Sequence, residues 1–118
     1  MKEFMLFIRS EEEPKANLSP EQLQQHIEKV GGYIKSLMEK GQMKSAQPLE
    51  MEGKILSYKN GKIIDGPYNE TKEIISGYYH LLAKDLDEAI EIAKQDPRFE
   101  EGIWRVEVRP VKVVEGIN

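Results

Sequence analysis

The apolar positions of this chain follow two patterns, one typical of buried strands and the other of amphipathic helices. Apolar residues stand on consecutive positions at 4–8, and they fill both alternating sets of positions at 74–83. A short run of this kind is typical of a strand that is covered on both faces. We therefore predict strands over both segments, and a last strand or pair of strands within residues 103–114.

A first helix is predicted to begin after Ser19, where three helix-start signals coincide. Ser19 can cap the helix, Pro20 suits its first position, and Gln22 completes a capping box. Gly41 is well placed to end it. The apolar residues between these ends recur at helical spacing, at Leu23, Ile27, Val30, Ile34, Leu37 and Met38.

Two adjacent glycines, Gly31 and Gly32, lie inside this helix. Each costs about 1 kcal/mol relative to alanine in a helix interior, so their presence needs a reason. We interpret them as a place where the helix packs closely against the sheet.

A hairpin is predicted in the middle of the chain. Residues 54–59 and 62–65 flank Asn60 and Gly61, a pair that favours the positive φ angles of a tight hairpin turn. Pro48 limits any strand just before this hairpin to a sheet edge or a break.

A second helix follows the long strand. Asp85 can cap it, Glu88 can reach back to its N-terminus, and Pro97 stops it. Its inner face carries apolar residues at helical spacing, namely Leu86, Ala89, Ile90 and Ala93.

The predicted order of elements is β-α-β-β-β-α-β within a single domain that spans residues 1–118. This order is close to the ferredoxin-like split βαβ plan, an α+β fold in which two helices cover one face of an antiparallel sheet. Because the strands at 4–8 and 74–83 lack a polar side, the other face needs a cover as well. A second copy of the sheet is the simplest cover, so we predict a homodimer that closes a dimeric α/β barrel.

Composition narrows the possible functions. The 118 residues carry a net charge of −4, which argues against nucleic acid as a partner because a broad footprint depends on Lys and Arg. The chain has no cysteine, which excludes disulfides, thiol nucleophiles and zinc–thiolate sites. Its apolar runs are too short for a signal-peptide core or a membrane span, so we expect a cytoplasmic protein with no membrane partner.

The run 65–73 places polar side chains beside a predicted Gly-Pro turn between two strands. Asp65 is the first candidate, either as a carboxylate at the mouth of a cleft or as an acceptor for the turn backbone. Glu70 and Lys72 fall on one face of an extended chain, and with Tyr68 they form a candidate substrate-binding rim. The alternative is that these groups are solvated or packed without a ligand.

Two histidines and one aspartate are candidates for proton transfer. His26 flanks the apolar stripe of the first helix, and His80 lies in the middle of the long strand. Histidine is well matched to proton transfer near neutral pH, although each ring could equally be held by ordinary hydrogen bonds within the fold. Asp96 could orient a histidine, or satisfy the end of the second helix. The chain has no metal-binding spacing, phosphate loop or nucleophile elbow, so we expect no metal and no cofactor.

Four segments of the chain form a combined pattern. They are the run from Asp65 to Glu73 with Tyr68 where a phenylalanine is usual, the triplet Gly77-Tyr78-Tyr79, the acidic cap from Asp85 to Ala89, and the stretch Val106-Glu107-Val108-Arg109-Pro110. Together they resemble the YCII-related family, and more closely its DGPF branch, over nearly the whole chain. The resemblance implies a ferredoxin-like α+β fold and a dimeric α/β barrel.

The resemblance also implies a His–Asp pair in a cleft, as in the YCII-like branch. The aspartate of that pair stands in an Asp-Pro after the second helix, which Asp96 and Pro97 match. The place of the histidine is held by Val30, and His26 lies one turn earlier on a similar side of the helix. At least one member acts on a chlorinated muconate-type ring-cleavage product, an activity that we do not transfer without the family histidine. Some DGPF members occur beside, or fused to, extracytoplasmic-function sigma factors, which suggests a regulatory association.

Two functions follow as hypotheses. The first is a small-molecule-binding protein or cofactor-independent enzyme that performs acid–base chemistry on a small acidic or carbonyl metabolite, with His26, Asp96 and Asp65 as catalytic groups. The substrate contacts would be Tyr68, Glu70, Lys72 and His80. The alternative is a non-enzymatic accessory dimer that binds a protein partner.

Overall fold

The structure, a computed structural model, describes residues 1–10, 18–67 and 74–118 of the chain. A four-stranded antiparallel sheet and two helices form the body, and a two-stranded hairpin makes a separate sheet. In chain order the elements are β1 (Lys2–Ser10), α1 (Pro20–Glu39), β2 (Met43–Pro48), β3 (Lys54–Lys59), β4 (Lys62–Pro67), β5 (Ile74–Ala83), α2 (Leu86–Lys94), a 3₁₀ segment (Pro97–Glu101) and β6 (Trp104–Pro110).

The main sheet has the strand order β2-β5-β1-β6, and every pair of neighbours is antiparallel. Strands β1 and β2 therefore run parallel to each other with β5 between them, which is the split βαβ arrangement of a ferredoxin-like fold. The predicted α+β fold is confirmed. The core between sheet and helices is built from Phe4, Leu6, Ile8, Leu37, Met43, Tyr79, Leu81, Ala83, Ala89, Ile92, Ala93 and Trp104.

Both helices begin at the predicted caps. The Ser19 hydroxyl accepts from the N–H of Gln22 at 3.1 Å, and the Gln22 side chain accepts from the N–H of Ser19 at 2.9 Å. At α2, Asp85 accepts from the N–H of Glu88 at 2.9 Å. The Glu88 carboxylate accepts from the N–H of Lys84 at 3.0 Å. This N–H lies one residue before that of the cap residue Asp85, which a capping box would use.

The hairpin β3–β4 turns where the sequence predicts. Asn60 and Gly61 have φ angles of 53° and 78°, as a two-residue hairpin turn with positive φ requires. The prediction that Gly66 and Pro67 turn the chain away after Asp65 is wrong, because both residues pair with β3 and extend β4. A proline is tolerated there because both strands of a two-stranded sheet are edge strands.

The 3₁₀ segment after α2 is an element that the sequence patterns did not predict. Asp96 caps it, since its Oδ1 accepts from the N–H of Arg98 at 2.9 Å. Pro97 occupies the first position, where a missing N–H costs nothing. Gly102 ends the segment with a φ of 75°. The turn directs Arg98 and the following acidic residues back toward α1.

The paired glycines of α1 do not mark a close approach to the sheet, contrary to the prediction. A Cβ built on Gly31 or Gly32 meets no atom within 4 Å. The close approach lies instead at Gly77 in β5. A Cβ there would lie 2.8 Å from the carbonyl oxygen of Gln47 and 3.3 Å from Cα of Pro48, both in β2. The pairing of β5 with β2 therefore depends on a glycine.

The face of the main sheet that points away from the helices is called the open face below. Alternation along β1 places Met5 and Phe7 on it, and both are half-buried. The face is not as apolar as predicted, because β1 also carries Glu3 there and β5 carries His80. Glu3 bonds Lys44 at 3.0 Å and His80 at 2.8 Å, and these partners hold the pKa of Glu3 below its ordinary value.

Gly77→Ala should destabilise the fold, because the new Cβ would meet backbone atoms rather than a movable side chain. We expect the free energy of unfolding, measured by urea titration, to fall by about 1–3 kcal/mol, the usual range for overpacked sites. Gly32→Ala is the matched control, since it adds the same methyl group in open space and should raise stability by up to about 1 kcal/mol. Equal stability of Gly77→Ala and the wild type would contradict the close approach of β5 and β2.

Candidate functional site

A cavity of about 530 Å³ lies between α1 and the main sheet. Helix α1 lines one side, and β2, β5 and the chain just after β2 line the other. His26 of α1, Arg98 of the 3₁₀ segment and Trp104 of β6 also border it. Much of the wall is apolar, with Ile8, Ile27, Val30, Ile34, Leu49 and Met51. Apolar walls with a few converging polar groups are typical of small-molecule sites of this size.

His26 borders this cavity with one ring nitrogen bonded to the protein. Its Nδ1 lies 2.6 Å from Oε2 of Glu101, and its ring stacks on that of Trp104 with 5.9 Å between centroids. The side chain is 10% exposed. Nε2 makes no hydrogen bond within the described part of the chain. The ring is therefore held in one orientation at the cavity wall, and Nε2 is free to bond a ligand.

Glu101 is fixed by a second bond. Its Oε1 accepts from the indole N–H of Trp104 at 2.9 Å. Because an ionised carboxylate only accepts hydrogen bonds, Nδ1 of His26 carries a proton when it bonds Glu101. A carboxylate in this place selects the ring tautomer. A connected chain of bonds therefore runs from Trp104 through Glu101 to His26.

Arg98 borders the same cavity, and Asp96 holds it in place. Nη1 of Arg98 donates to Oδ2 of Asp96 at 3.2 Å and to the hydroxyl of Tyr79. The Asp96 side chain is 1% exposed, and a carboxylate buried to this extent needs partners of this kind. The sequence predicts that Asp96 bonds His26. In the structure Asp96 bonds Arg98, and His26 bonds Glu101. The physical reason is the 3₁₀ turn, which places Arg98 over the carboxylate that caps it.

One buried tyrosine, Tyr79, and one half-buried tyrosine, Tyr33, lie beside the Asp96–Arg98 pair. Burial raises the pKa of Tyr79 to about 12. Burial, assisted by the charge of Asp96, raises the pKa of Tyr33 well above its ordinary value. The Tyr33 hydroxyl donates to the carbonyl of Ile92 at 2.7 Å. Both phenols therefore stay neutral, and the Tyr79 hydroxyl supports the ion pair without adding charge to it.

The remaining candidates from the sequence lie away from the cavity or outside the described residues. Asp65 stands on the exposed hairpin and bonds Lys54 at 3.3 Å, so its partner is not the turn backbone. His80 lies on the open face and bonds Glu3. Neither borders the cavity, whereas Val30 does, one turn from His26. Outside the described residues lie Tyr68, Glu70 and Lys72.

Sequence reasoning missed Arg98 and Glu101 as parts of this site. Glu101 lies 75 positions after His26, so no local pattern connects them. The available signal was the proline directly after Asp96, since an Asp-Pro start favours a short capped turn that carries the next residues back.

The sequence profile of the YCII-related domain matches residues 3–114. The chain belongs to the YCII-related family. The match includes the residues that line the cavity, so the site lies wholly within the family domain.

Among solved structures, this YCII-related protein resembles the 5-chloro-2-hydroxyhydroquinone dehydrochlorinase (TftG) from Burkholderia phenoliruptrix AC1100, in complex with 2,5-dihydroxybenzoquinone. The identity is 15%, the TM-score is 0.55, and the alignment covers 98% of this chain and 99% of that chain. At this identity the likeness shows a shared fold. No curated protein matches the sequence. Within the described ranges, no helix has both the length and the apolar character that a membrane crossing needs.

Proposed function

We propose that this YCII-related protein binds a small acidic or carbonyl metabolite and performs cofactor-independent acid–base chemistry on it. The observation that carries the proposal is the arrangement of His26, with Nδ1 bonded to Glu101 and the ring at the wall of a cavity. A histidine oriented in this way can accept a proton from a bound molecule and return it.

The two ring nitrogens would have different roles in proton transfer. With Nδ1–H donated to Glu101, the free lone pair is on Nε2, which therefore acts as the base. The imidazolium that forms is stabilised by Glu101, whose other oxygen keeps its bond to Trp104. Return of the proton to a different atom of the bound molecule completes an isomerisation. If a leaving group departs instead, the same proton abstraction completes an elimination.

The solved dehydrochlorinase supports the proposed size and kind of ligand. It binds 2,5-dihydroxybenzoquinone, a planar molecule with one ring. A cavity of about 530 Å³ has room for a molecule of this size. In this proposal Asp96 is a positioning residue that acts through Arg98, while Asp65 and His80 have no part in the chemistry.

The test uses 2,5-dihydroxybenzoquinone as a probe. We expect the wild type to accelerate exchange of the ring C–H protons of the probe with D2O, followed by proton NMR. Deuterated His26 can deliver a deuteron to a ring carbon of the enolic probe, and Nε2 can then remove the original proton from that carbon. His26→Gln should lower that rate by about 10²–10⁴-fold, the usual contribution of a general base. Glu101→Gln should lower the rate while the Kd of the probe changes little. An unchanged exchange rate in His26→Gln would contradict the proposal.

Gly31 and Gly32 offer a matched pair of control variants for the same probe. Gly31 borders the cavity and has free space around a built Cβ, so Gly31→Leu should fill part of the cavity. The Kd of Gly31→Leu for the probe should rise by about tenfold or more, which is a loss of at least ~1.4 kcal/mol of binding free energy. Gly32→Leu adds the same side chain on the same helix and should leave the Kd unchanged. Equal effects of both variants would place the probe outside the cavity.

We also propose that a second copy of the chain covers the open face. Met5 and Phe7 lie there, and a closed two-fold dimer is the commonest way to bury such a face. The mass in solution at micromolar concentration, measured by light scattering, should equal two chains, and Phe7→Lys should lower it. A wild-type mass equal to one chain would contradict the homodimer.

The alternative function, binding of a protein partner, is supported by the exposed hairpin β3–β4. Leu56, Tyr58 and Ile63 are 69%, 74% and 74% exposed. A pull-down that recovers a partner with the wild type but not with Leu56→Lys would favour this function, provided that the protein binds no small molecule.

A further inference from the structure

We propose that Arg98 anchors a carboxylate group, so that the ligand class of the cavity is a small organic acid with an apolar, ring-sized body. The inference rests on the proposed function, because it names the chemistry of the molecule on which His26 would act. The supporting observation is which nitrogens of the Arg98 guanidinium form hydrogen bonds with the protein and which do not.

Only one side of the Arg98 guanidinium is bonded within the described part of the chain. Nη1 serves Asp96 and Tyr79. Nε is buried and has no hydrogen-bond partner, and Nη2 makes no hydrogen bond to a described residue. A buried donor without an acceptor is unfavourable, so an acceptor at this edge would stabilise the site.

The Nε and Nη2 donors lie on one edge of the planar guanidinium. Their N–H groups point the same way, which matches the two oxygens of a carboxylate and allows two parallel hydrogen bonds. A single hydroxyl or carbonyl oxygen would satisfy this edge less completely. The geometry of the unpaired donors therefore favours a carboxylate.

The guanidinium is held rigidly enough to select its ligand. Its Cζ lies 5.4 Å from the centre of the Trp104 ring and 5.5 Å from that of the Tyr79 ring. Asp96 fixes it from the side of Nη1, and the Arg98 side chain is 14% exposed. Water therefore competes little for its remaining donors, and a bound carboxylate would lose less free energy to ordering of the side chain.

The same ring of Trp104 connects the anchor to the proposed base. His26 stacks 5.9 Å from the Trp104 ring centre, and Arg98 lies 5.4 Å from it. Both side chains also border the same cavity, so a molecule whose carboxylate bonds Arg98 would share that cavity with His26. The apolar side chains of the wall, including Ile27 and Val30, favour a hydrocarbon body rather than a polyhydroxylated one.

Benzoate and benzamide test the inference, because they have the same ring and differ in the charge of one group. Kd values at pH 7 would be measured for both from ¹H–¹⁵N chemical shifts of the protein. We expect the wild type to bind benzoate about tenfold more tightly or better, as two charge-assisted hydrogen bonds allow. Equal Kd values for the two probes would overturn the carboxylate anchor.

Arg98→Lys tests the role of the guanidinium edge. Lysine keeps a positive charge beside the buried Asp96, so the variant should keep the fold, which thermal melting checks. It lacks the paired donors, so its Kd for benzoate should rise to that for benzamide, and its Kd for benzamide should not change. Arg109→Lys is the matched control, because Arg109 does not border the cavity and should leave both values unchanged. Retained preference for benzoate in Arg98→Lys would overturn the inference.

The outcomes separate this inference from the proposed function. Binding of 2,5-dihydroxybenzoquinone without a preference for benzoate overturns the anchor and leaves the acid–base site standing. Absence of binding by all three probes overturns both.

Discussion

The carboxylate of Glu101 is the group on which the arrangement of the site depends. It accepts one bond from His26 of α1 and one from Trp104 of β6, and so connects the helix to the sheet across the end of the cavity. Without it, the imidazole would have no defined tautomer and the indole N–H would lose its acceptor. A single side chain therefore holds both the Trp104 indole and the ring orientation and tautomer of His26.

Asp96 has the corresponding role for the other polar group of the cavity. It caps the 3₁₀ segment with one oxygen and bonds the Arg98 guanidinium with the other. The same short turn delivers both Arg98 and Glu101, so the local structure after α2 determines the chemistry of the site. The Asp-Pro sequence therefore acts on the site through Arg98 and Glu101, because Asp96 bonds Arg98 while His26 bonds Glu101.

Local signals in the sequence were sufficient for the fold class and the order of helices and strands, but not for the 3₁₀ segment or the end of β4. The capping box at Ser19, the Asn60-Gly61 turn and the apolar strands each specify their element within a few residues, and the order of elements then leaves few topologies. The site was only half predictable. His26 and Asp96 were identified by residue type, but their partners depend on how the 3₁₀ turn meets α1, a contact over 75 positions. Gly31 and Gly32 were misinterpreted for a similar reason. A glycine pair in a helix is compatible with a neighbouring element packed closely against it or with open space beside it, and the sequence does not distinguish the two.

The central claim is that Glu101 orients His26 with its free nitrogen toward the cavity, and the tautomer of the imidazole tests it most directly. Two-bond ¹H–¹⁵N NMR spectra of the protein at pH 8 distinguish a protonated from an unprotonated ring nitrogen, and His26→Gln assigns the signals because the chain has only two histidines. The structure predicts a proton on Nδ1 and a free lone pair on Nε2 in the wild type, with loss of this preference in Glu101→Gln. A wild-type ring protonated on Nε2, with Nδ1 unprotonated, would contradict the account.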